Sequence, residues 1–234
     1  MEVETGGTSA DNGPLGLPGF RALRAWAPDE TVFGWVTELI DTYGPSRTEV
    51  VRNPHHSEEW ARSAVVSPSL LDAVAELLGP NLAVENTFLL IKWPGADFEV
   101  PWHQDGINDR IELDPLRSVA VWLALTEATE TSGCLRIVPG SQRAGYLPYK
   151  AEDANGAARG RALGVQPPEG VVGLPVPAAM GDGVLMDTRT VHCSGPNAGT
   201  SPRIGLNIRF VAPGGFAIRD GSSPSLLPVA GTGW

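Results

Sequence analysis

The 234-residue sequence contains few cysteines, and it has no long apolar run. Its two cysteines, Cys134 and Cys193, are not part of a Cys-x-x-Cys pair, which excludes a disulfide framework and predicts two small core or near-core side chains. No stretch approaches the roughly 20 apolar residues that a transmembrane helix needs. The N-terminus has no basic segment followed by an apolar run, so no signal peptide is expected. These features predict a soluble, cytoplasmic protein.

Basic residues are scarce as well. The sequence has 17 lysines and arginines against 27 aspartates and glutamates, which gives a formal net charge of −10. Nucleic acids and anionic membrane surfaces are bound through basic patches, so neither is expected as a partner. The expected partner is a small-molecule substrate, and nothing in the sequence defines the oligomeric state.

Glycine and proline are abundant, with 28 and 21 residues, while 42% of the chain is hydrophobic. This composition predicts many turns between short strands rather than disorder. Residues 1–18 are predicted to form a flexible leader, and residues 19–234 a single domain.

The first part of that domain, about residues 28–80, is predicted to be helical. Apolar residues recur at helical spacing over residues 28–43 and again over residues 67–78. For the second helix, Ser67 is the expected N-cap, and Gly79 with the following proline is the expected stop.

Short β-type runs separated by turn-forming residues follow from about residue 81. The predicted strands are residues 87–93, 99–105, 118–125, 134–138, 183–187 and 204–211. Helices followed by many short strands predict a mainly β fold with flanking helices, whose jelly-roll core spans about residues 81–212. The Gly- and Pro-rich stretch at 144–177 is a candidate functional loop over a site, and residues 213–234 are predicted to be an irregular tail.

One predicted strand carries a histidine and an aspartate at metal-binding spacing. His103 and Asp105 are two residues apart, so their side chains point to the same face, while Gln104 points to the other. His192, after the predicted strand 183–187, can provide a third ligand. Two histidines and one carboxylate form the facial triad typical of iron(II) oxygenases with open coordination positions.

Arg203 lies eleven residues after His192, at the start of another predicted strand. A guanidinium binds a carboxylate through two parallel hydrogen bonds, and the distal carboxylate of 2-oxoglutarate is a natural partner. Two alternatives remain open at this point. Arg203 can be a surface residue in a salt bridge, or Arg209 can take the anchoring role.

With these residues identified, the chain resembles the phytanoyl-CoA dioxygenase family of iron(II)/2-oxoglutarate oxygenases, in particular its bacterial small-molecule branch. The resemblance covers about residues 53–212. It is carried, in order, by residues 102–105 (WHQD), 133–141 (GCLRIVPGS), 181–187 (GDGVLMD) and 192–197 (HCSGPN), followed by Arg203.

The resemblance implies a double-stranded β-helix (cupin-like) core, with iron(II) bound by His103, Asp105 and His192. It also implies 2-oxoglutarate bound by Arg203, with Lys92 and Thr87 as further contacts and Asn86 as a weaker candidate. O2 is the implied co-substrate. Residues 133–141 are expected to form a strand that enters a tight turn near the site, and Trp122 is expected in the core.

The activity implied by the resemblance is hydroxylation of an unactivated C–H bond, with decarboxylation of 2-oxoglutarate to succinate. Related halogenases replace the metal carboxylate with a small residue, so the presence of Asp105 argues against halogenation. The same oxidising chemistry can also give desaturation, epoxidation or cyclisation. The expected substrate is a small polar metabolite or a natural-product intermediate.

Arg110, Asn108, Trp102 and His56 are the candidate substrate contacts, although Arg110 and Asn108 can equally be solvated loop residues. His55 and His56 are adjacent, which makes it awkward for both to bind one ion. Two readings of other classes remain: a non-redox metal enzyme on the same scaffold, and a catalytically silent jelly-roll binding protein.

Overall fold

The structure is a computed structural model that describes residues 13–156, 158, 163–167 and 169–234. In these residues the chain forms three α-helices and fifteen β-strands. The helices are α1 (Asp29–Tyr43), α2 (Glu59–Val65) and α3 (Pro68–Leu78). The strands are β1 (Phe20–Leu23), β2 (Val50–Arg52), β3 (Leu82–Lys92), β4 (Val100–His103), β5 (Ile111–Leu113), β6 (Ser118–Ala124), β7 (Leu135–Ile137), β8 (Tyr149–Ala151), β9 (Leu163–Val165), β10 (Leu174–Val176), β11 (Gly183–Met186), β12 (His192–Ser194), β13 (Arg203–Val211), β14 (Phe216–Ile218) and β15 (Leu227–Ala230).

The two predicted helices are present as α1 and α3, whereas the seven-residue α2 was not predicted. Leu70 and Val74 lie on one side of α3 and are buried against the large sheet. Ser67 occupies the N-cap position, but its hydroxyl donates to the Trp26 carbonyl at 2.6 Å instead of capping the helix. None of the helices in the described ranges is long and apolar enough to cross a membrane.

Most strands belong to two antiparallel sheets. The larger has the order β1-β11-β6-β13-β3-β15, with β2 also paired to β3, and the smaller has the order β10-β7-β12-β4. Side chains of both sheets meet in one buried cluster, which includes Trp122 and Val184 from the large sheet and Leu135 and Ile137 from the small one. Two facing antiparallel sheets with helices on the outer side of one of them confirm the predicted jelly-roll core.

The long strand β13 shows how the large sheet separates two environments. Residues such as Ile204 and Ile208 join the core under the helices. The alternate residues, which include Arg203 and Asn207, project towards the small sheet, because successive side chains point to opposite faces of a strand. The side of the large sheet that faces the small sheet therefore carries polar groups in an otherwise apolar strand.

All six predicted strands are present, although β3 begins at Leu82 and not at residue 87, and β4 ends at His103 and not at residue 105. The prediction of an irregular tail from residue 213 was wrong. In the structure, β14 pairs with β5, and β15 extends the large sheet beside β3. The predicted loop at 144–177 contains the hairpin β8–β9 and strand β10. Of the predicted leader, residues 1–12 lie outside the described part of the chain. Cys134 is buried and Cys193 half-buried, as expected.

Candidate active site

The three predicted metal ligands lie together between the two sheets. His192 on β12 and His103 on β4 are direct antiparallel partners, and their ring centroids are 4.1 Å apart. The Asp105 carboxylate lies 3.8 Å from His103 Nε2 and 3.6 Å from His192 Nε2. One ligand atom from each of the three residues can be chosen so that all lie within 4.8 Å of one another. Two ligands of one ion, at the roughly 2.0–2.2 Å typical of zinc sites, are at most about 4.4 Å apart, so both measured pairs fit one ion.

Both imidazoles are oriented by the backbone. His103 Nδ1 lies 2.8 Å from the Pro101 carbonyl, and His192 Nδ1 lies 3.0 Å from the Thr190 carbonyl. A carbonyl oxygen only accepts, so Nδ1 of each ring carries a proton, and Nε2, which is the nitrogen near Asp105, is the one left to bind a metal. This is the arrangement in which histidine binds a metal, with the second nitrogen fixing tautomer and ring orientation.

Asp105 is held by two residues of β13. Asn207 Nδ2 donates to Asp105 Oδ2 at 2.9 Å, and Arg209 Nε lies 3.9 Å from Asp105 Oδ1. Burial opposes ionisation of the carboxyl, but the neighbouring His192 and Arg209 lower the pKa of Asp105 to about 2. Burial, together with the neighbouring His192, lowers the pKa of His103 to about 4. The site therefore offers an ionised carboxylate and a neutral His103 imidazole at neutral pH, which is the donor set that a divalent iron ion requires.

A cavity of about 620 Å³ opens beside this cluster, and His103 and Asp105 line it. Phe88, Leu90 and other apolar side chains form part of its wall. Within the described part of the 144–177 stretch, Ala151 and Leu163 also line it, which agrees with the prediction that this stretch covers a site. His103 and Asp105 thus face a space large enough for a small organic molecule.

Arg203 lies deeper, outside the set of residues that line the cavity. Its guanidinium is fully buried, packs over the Trp122 ring at 5.3 Å, and donates from Nε and Nη2 to the Gly133 carbonyl. Nη1 is buried and has no hydrogen-bond partner among the described residues. An unpaired buried donor on a charged group is costly, and the carboxylate of a bound dicarboxylate would satisfy it. The surface salt-bridge alternative is therefore wrong.

Glycine is required at two positions around this arginine. Gly133 has φ +78°, and a Cβ there would lie 2.3 Å from the Gly195 carbonyl oxygen. A Cβ on Gly205, two residues after Arg203, would lie 2.7 Å from the Trp122 ring. These close approaches hold the Gly133 backbone and the Trp122 ring against the guanidinium. Trp122 is itself buried, which confirms it as a core residue.

Lys92 is the β3 partner of Arg203 and projects from the same face. Its Nζ lies 3.2, 3.0 and 2.6 Å from the carbonyl oxygens of Phe98, Ser194 and Gly195, respectively. Burial, and secondarily the charge of Arg203, lowers the pKa of Lys92 to about 6. Lys92 and Arg203 together form a buried pair of basic side chains behind the metal ligands.

Comparison with known proteins identifies the family of this chain. A family model described as phytanoyl-CoA dioxygenase (PhyH) matches residues 26–205, which is most of the chain. The chain belongs to the phytanoyl-CoA dioxygenase family. Membership confirms the expected cofactors, iron(II) and 2-oxoglutarate, with O2 as co-substrate.

Two curated relatives and one solved structure illustrate this family membership. A probable alpha-ketoglutarate-dependent hypophosphite dioxygenase of Stutzerimonas stutzeri is 28% identical over 69% of the chain and 56% of its own length. The human peroxisomal phytanoyl-CoA dioxygenase is 25% identical over 78% of the chain and 55% of its own length. The chain thus spans just over half of each relative. The apo structure of the non-heme monooxygenase ThoJ has a TM-score of 0.75 and 27% identity, covering 96% of this chain and 84% of that one.

Thr87, which the family resemblance suggested as a co-substrate contact, is placed elsewhere by the structure. Its hydroxyl lies 2.7 Å from His55 Nδ1, on the face of β3 opposite to Lys92. Burial is the main cause that lowers the pKa of His55 to about 4, so this imidazole is neutral. The position of Thr87 contradicts a direct contact with a ligand beside Arg203. Asn86, the weaker candidate, lines the cavity.

The four predicted substrate contacts divide into two groups. Asn108 and Arg110 line the cavity, but both already have partners in the chain. Asn108 Oδ1 accepts from the amides of Arg110 and Ile111, and the exposed Arg110 guanidinium contacts Ser222.

Trp102 and His56 do not line the cavity, which contradicts the expectation for both. Trp102 is adjacent to His103 on β4, so it points to the other face and lies close to Gly173. His56 is exposed, and its ring centroid lies 4.1 Å from that of His55 with the two ring planes tilted by 36°.

Sequence reasoning missed two residues near the metal ligands. Asn207 positions Asp105, and Glu85 lies beside Arg209 in the cavity wall. Asn207 is four residues after Arg203 on one strand, so the two-residue alternation already placed it on the same face. Gln104, predicted to point away from the metal, donates to the carbonyls of Gly145 and Arg189 and ties the loops around the site together.

Proposed function

We propose that the chain is an iron(II)/2-oxoglutarate-dependent dioxygenase that hydroxylates an unactivated C–H bond of a small polar metabolite or natural-product intermediate. The observation that carries this proposal is the convergence of two imidazoles and one carboxylate at the wall of a cavity, with a buried, incompletely paired guanidinium behind them. Decarboxylation of 2-oxoglutarate to succinate accompanies the reaction.

His103, Asp105 and His192 would hold the iron, and Arg203 would hold the distal carboxylate of 2-oxoglutarate. When bound, the iron with 2-oxoglutarate and O2 supplies an oxidant strong enough to remove hydrogen from an unactivated carbon. The protein holds the substrate carbon at the cavity wall beside the ligands, and its apolar residues keep bulk water from the site. Desaturation, epoxidation and cyclisation differ from hydroxylation only in substrate placement, and they are the alternatives on the same chemistry.

Anaerobic titration tests the proposal directly. Iron(II) followed by 2-oxoglutarate is expected to give a weak visible charge-transfer band, and admission of O2 is expected to give succinate. A zinc- or nickel-dependent hydrolase or isomerase on this scaffold, or a silent binding protein, gives neither signal. Absence of both the band and succinate would falsify the proposed function.

Lys92 provides a second test through its proton. With a pKa of about 6, the amine is mostly neutral near pH 8 in the absence of co-substrate. A dicarboxylate bound beside it favours the charged form and raises the pKa, so 2-oxoglutarate binding is expected to take up as much as one proton near pH 8.

Calorimetry in buffers of different ionisation enthalpy measures this proton uptake. Lys92→Met is expected to abolish it, and this variant also corrects for protons exchanged elsewhere. Equal proton uptake by the wild type and Lys92→Met would place Lys92 outside the co-substrate site.

A further inference from the structure

Four polar side chains form one wall of the cavity. Most of the hydrogen-bonding groups of these four side chains take no part in holding the iron or the co-substrate. This polar wall consists of Glu85 and Asn86 from β3 and Asn207 and Arg209 from β13, and all four line the cavity. Arg209 Nη1 lies 3.5 Å from Glu85 Oε2, and both side chains are about nine-tenths buried. The wall is adjacent to the metal cluster, because Arg209 and Asn207 both approach Asp105.

An irregularity in strand pairing creates this wall. Asn86 pairs with Arg209, but the next β13 residue, Phe210, pairs with Val84, which leaves Glu85 as an extra residue in β3. In a regular strand, adjacent residues point to opposite faces. The bulge instead lets both Glu85 and Asn86 reach the cavity, and bulges of this kind commonly redirect a side chain next to a functional site.

The wall contains buried polar atoms without partners. Asn86 Oδ1, Asn207 Oδ1 and Arg209 Nε have no hydrogen bond within the described structure. The orientation of the Asn207 amide is fixed, because its nitrogen must donate to the Asp105 carboxylate, and its oxygen therefore remains an acceptor. Unsatisfied buried donors and acceptors are rare in native proteins, and their concentration at one cavity wall indicates a ligand that supplies both.

The charges around the cavity indicate that this part of the ligand is neutral. Among the described residues, the charged ones that line the cavity are Arg52, Arg110, Arg209, Glu85, Asp105 and Asp109, three of each sign. The guanidinium of Arg209 lies between the carboxylates of Glu85 and Asp105, so neither an anion nor a cation finds an unmatched countercharge in the wall. Phe88, whose ring lies 5.6 Å from the Arg209 guanidinium carbon, adds an apolar surface at the same wall.

We infer that the polar wall binds a neutral, hydroxyl-bearing part of the substrate, such as a vicinal diol or a sugar ring. A hydroxyl group both donates and accepts, so neighbouring hydroxyls can pair with the amide oxygens and with Arg209 together. The C–H face of the same ring can pack on Phe88. This inference rests on the proposed function for its position in the reaction, since it places the hydroxylated part next to the metal ligands.

Three matched glycosides test the inference: methyl glucoside, its C6 carboxylate counterpart methyl glucuronide, and the ammonium-bearing methyl glucosaminide. Binding to the anaerobic iron(II)/2-oxoglutarate protein is measured by saturation-transfer NMR and calorimetry, without turnover. The neutral glycoside is expected to bind most tightly. Asn86→Leu is expected to weaken its binding by roughly 2- to 10-fold, the usual effect of losing one hydrogen bond.

A comparison of Glu85→Gln with Asp109→Asn tests the role of charge in the polar wall more sharply. Glu85→Gln leaves the charge of Arg209 less compensated, so the ratio of glucuronide to glucoside affinity is expected to rise by roughly tenfold, as for a partly buried charge pair. Asp109→Asn makes the same chemical change at an exposed carboxylate of the same cavity and is expected to leave the ratio unchanged.

The inference is overturned if no glycoside binds, if the wild type prefers a charged glycoside, or if Asp109→Asn changes the ratio as much as Glu85→Gln. These outcomes are distinguishable from failure of the proposed function. The charge-transfer band of iron with 2-oxoglutarate forms without any glycoside, and glycoside binding can be measured whether or not that band forms.

Discussion

Asp105→Ala is expected to abolish iron binding and succinate formation. Asp105 is the only carboxylate in the ligand cluster, and it lies within 4 Å of both imidazoles. Its removal leaves two histidine ligands and deprives Asn207 Nδ2 of its acceptor. Loss of a residue that only hydrogen-bonds to a metal ligand weakens metal binding by roughly 10- to 100-fold. Loss of the ligand itself should raise the dissociation constant for iron(II), measured by anaerobic titration, by more than this.

Two further variants make this prediction specific. Asn207→Leu removes only the hydrogen bond to Asp105, so its effect on iron affinity should fall in that roughly 10- to 100-fold range. Asp109→Ala removes an exposed carboxylate from the same cavity and should leave iron affinity unchanged. If Asp105→Ala and Asp109→Ala bound iron equally well while remaining folded by circular dichroism, the cluster would not be the iron site.

The alternation of side chains along a strand explains much of what the sequence could predict about the site. It placed His103 and Asp105 on one face, and the structure brings them together with His192, although β4 ends at His103 and Asp105 lies in the turn that follows the strand. The same rule also shows why one prediction was wrong. Thr87 and Lys92 are five residues apart, an odd number, so a continuous strand cannot direct both to one face. Asn86, six residues from Lys92, satisfies the rule and does line the cavity.

Other features depend on tertiary structure and could not be read from local pattern. Strands β12 (His-Cys-Ser) and β15 (which contains Pro228) lack the run of β-forming residues that made the equally short β7 and β11 recognisable without their partners. The bulge that turns Glu85 into the cavity exists only through the pairing of β3 with β13. The long apolar strands β3, β6 and β13 were predictable, because burial on both faces gives them an extended run of β-forming residues.

The second large effect is expected at Arg203. We expect Arg203→Met to raise the dissociation constant for 2-oxoglutarate by roughly 10²- to 10⁴-fold, because two charge-assisted hydrogen bonds to the distal carboxylate would be lost. The charge-transfer band gives this constant without turnover and without knowledge of the substrate. Burial lowers the pKa of Arg203 to about 10, so the wild-type guanidinium remains charged from pH 6 to 8 and Arg203 itself adds no pH dependence to 2-oxoglutarate affinity in that range.

Arg209→Met is the matched comparison, because Arg209 is the rival anchor on the same face of the same strand. Arg209 lies at the cavity wall with Glu85 beside it, whereas Arg203 is buried over Trp122, with Nη1 unpaired in the part of the chain that the structure describes. Loss of Arg209 should therefore leave 2-oxoglutarate affinity within about threefold of the wild type, well below the tenfold that about 1.4 kcal/mol produces. Arg203→Lys, which keeps the charge but not the planar fork, should fall between the wild type and Arg203→Met. The reverse ranking of the two methionine variants would transfer the anchoring role to Arg209, and it would also remove Arg209 from the polar wall.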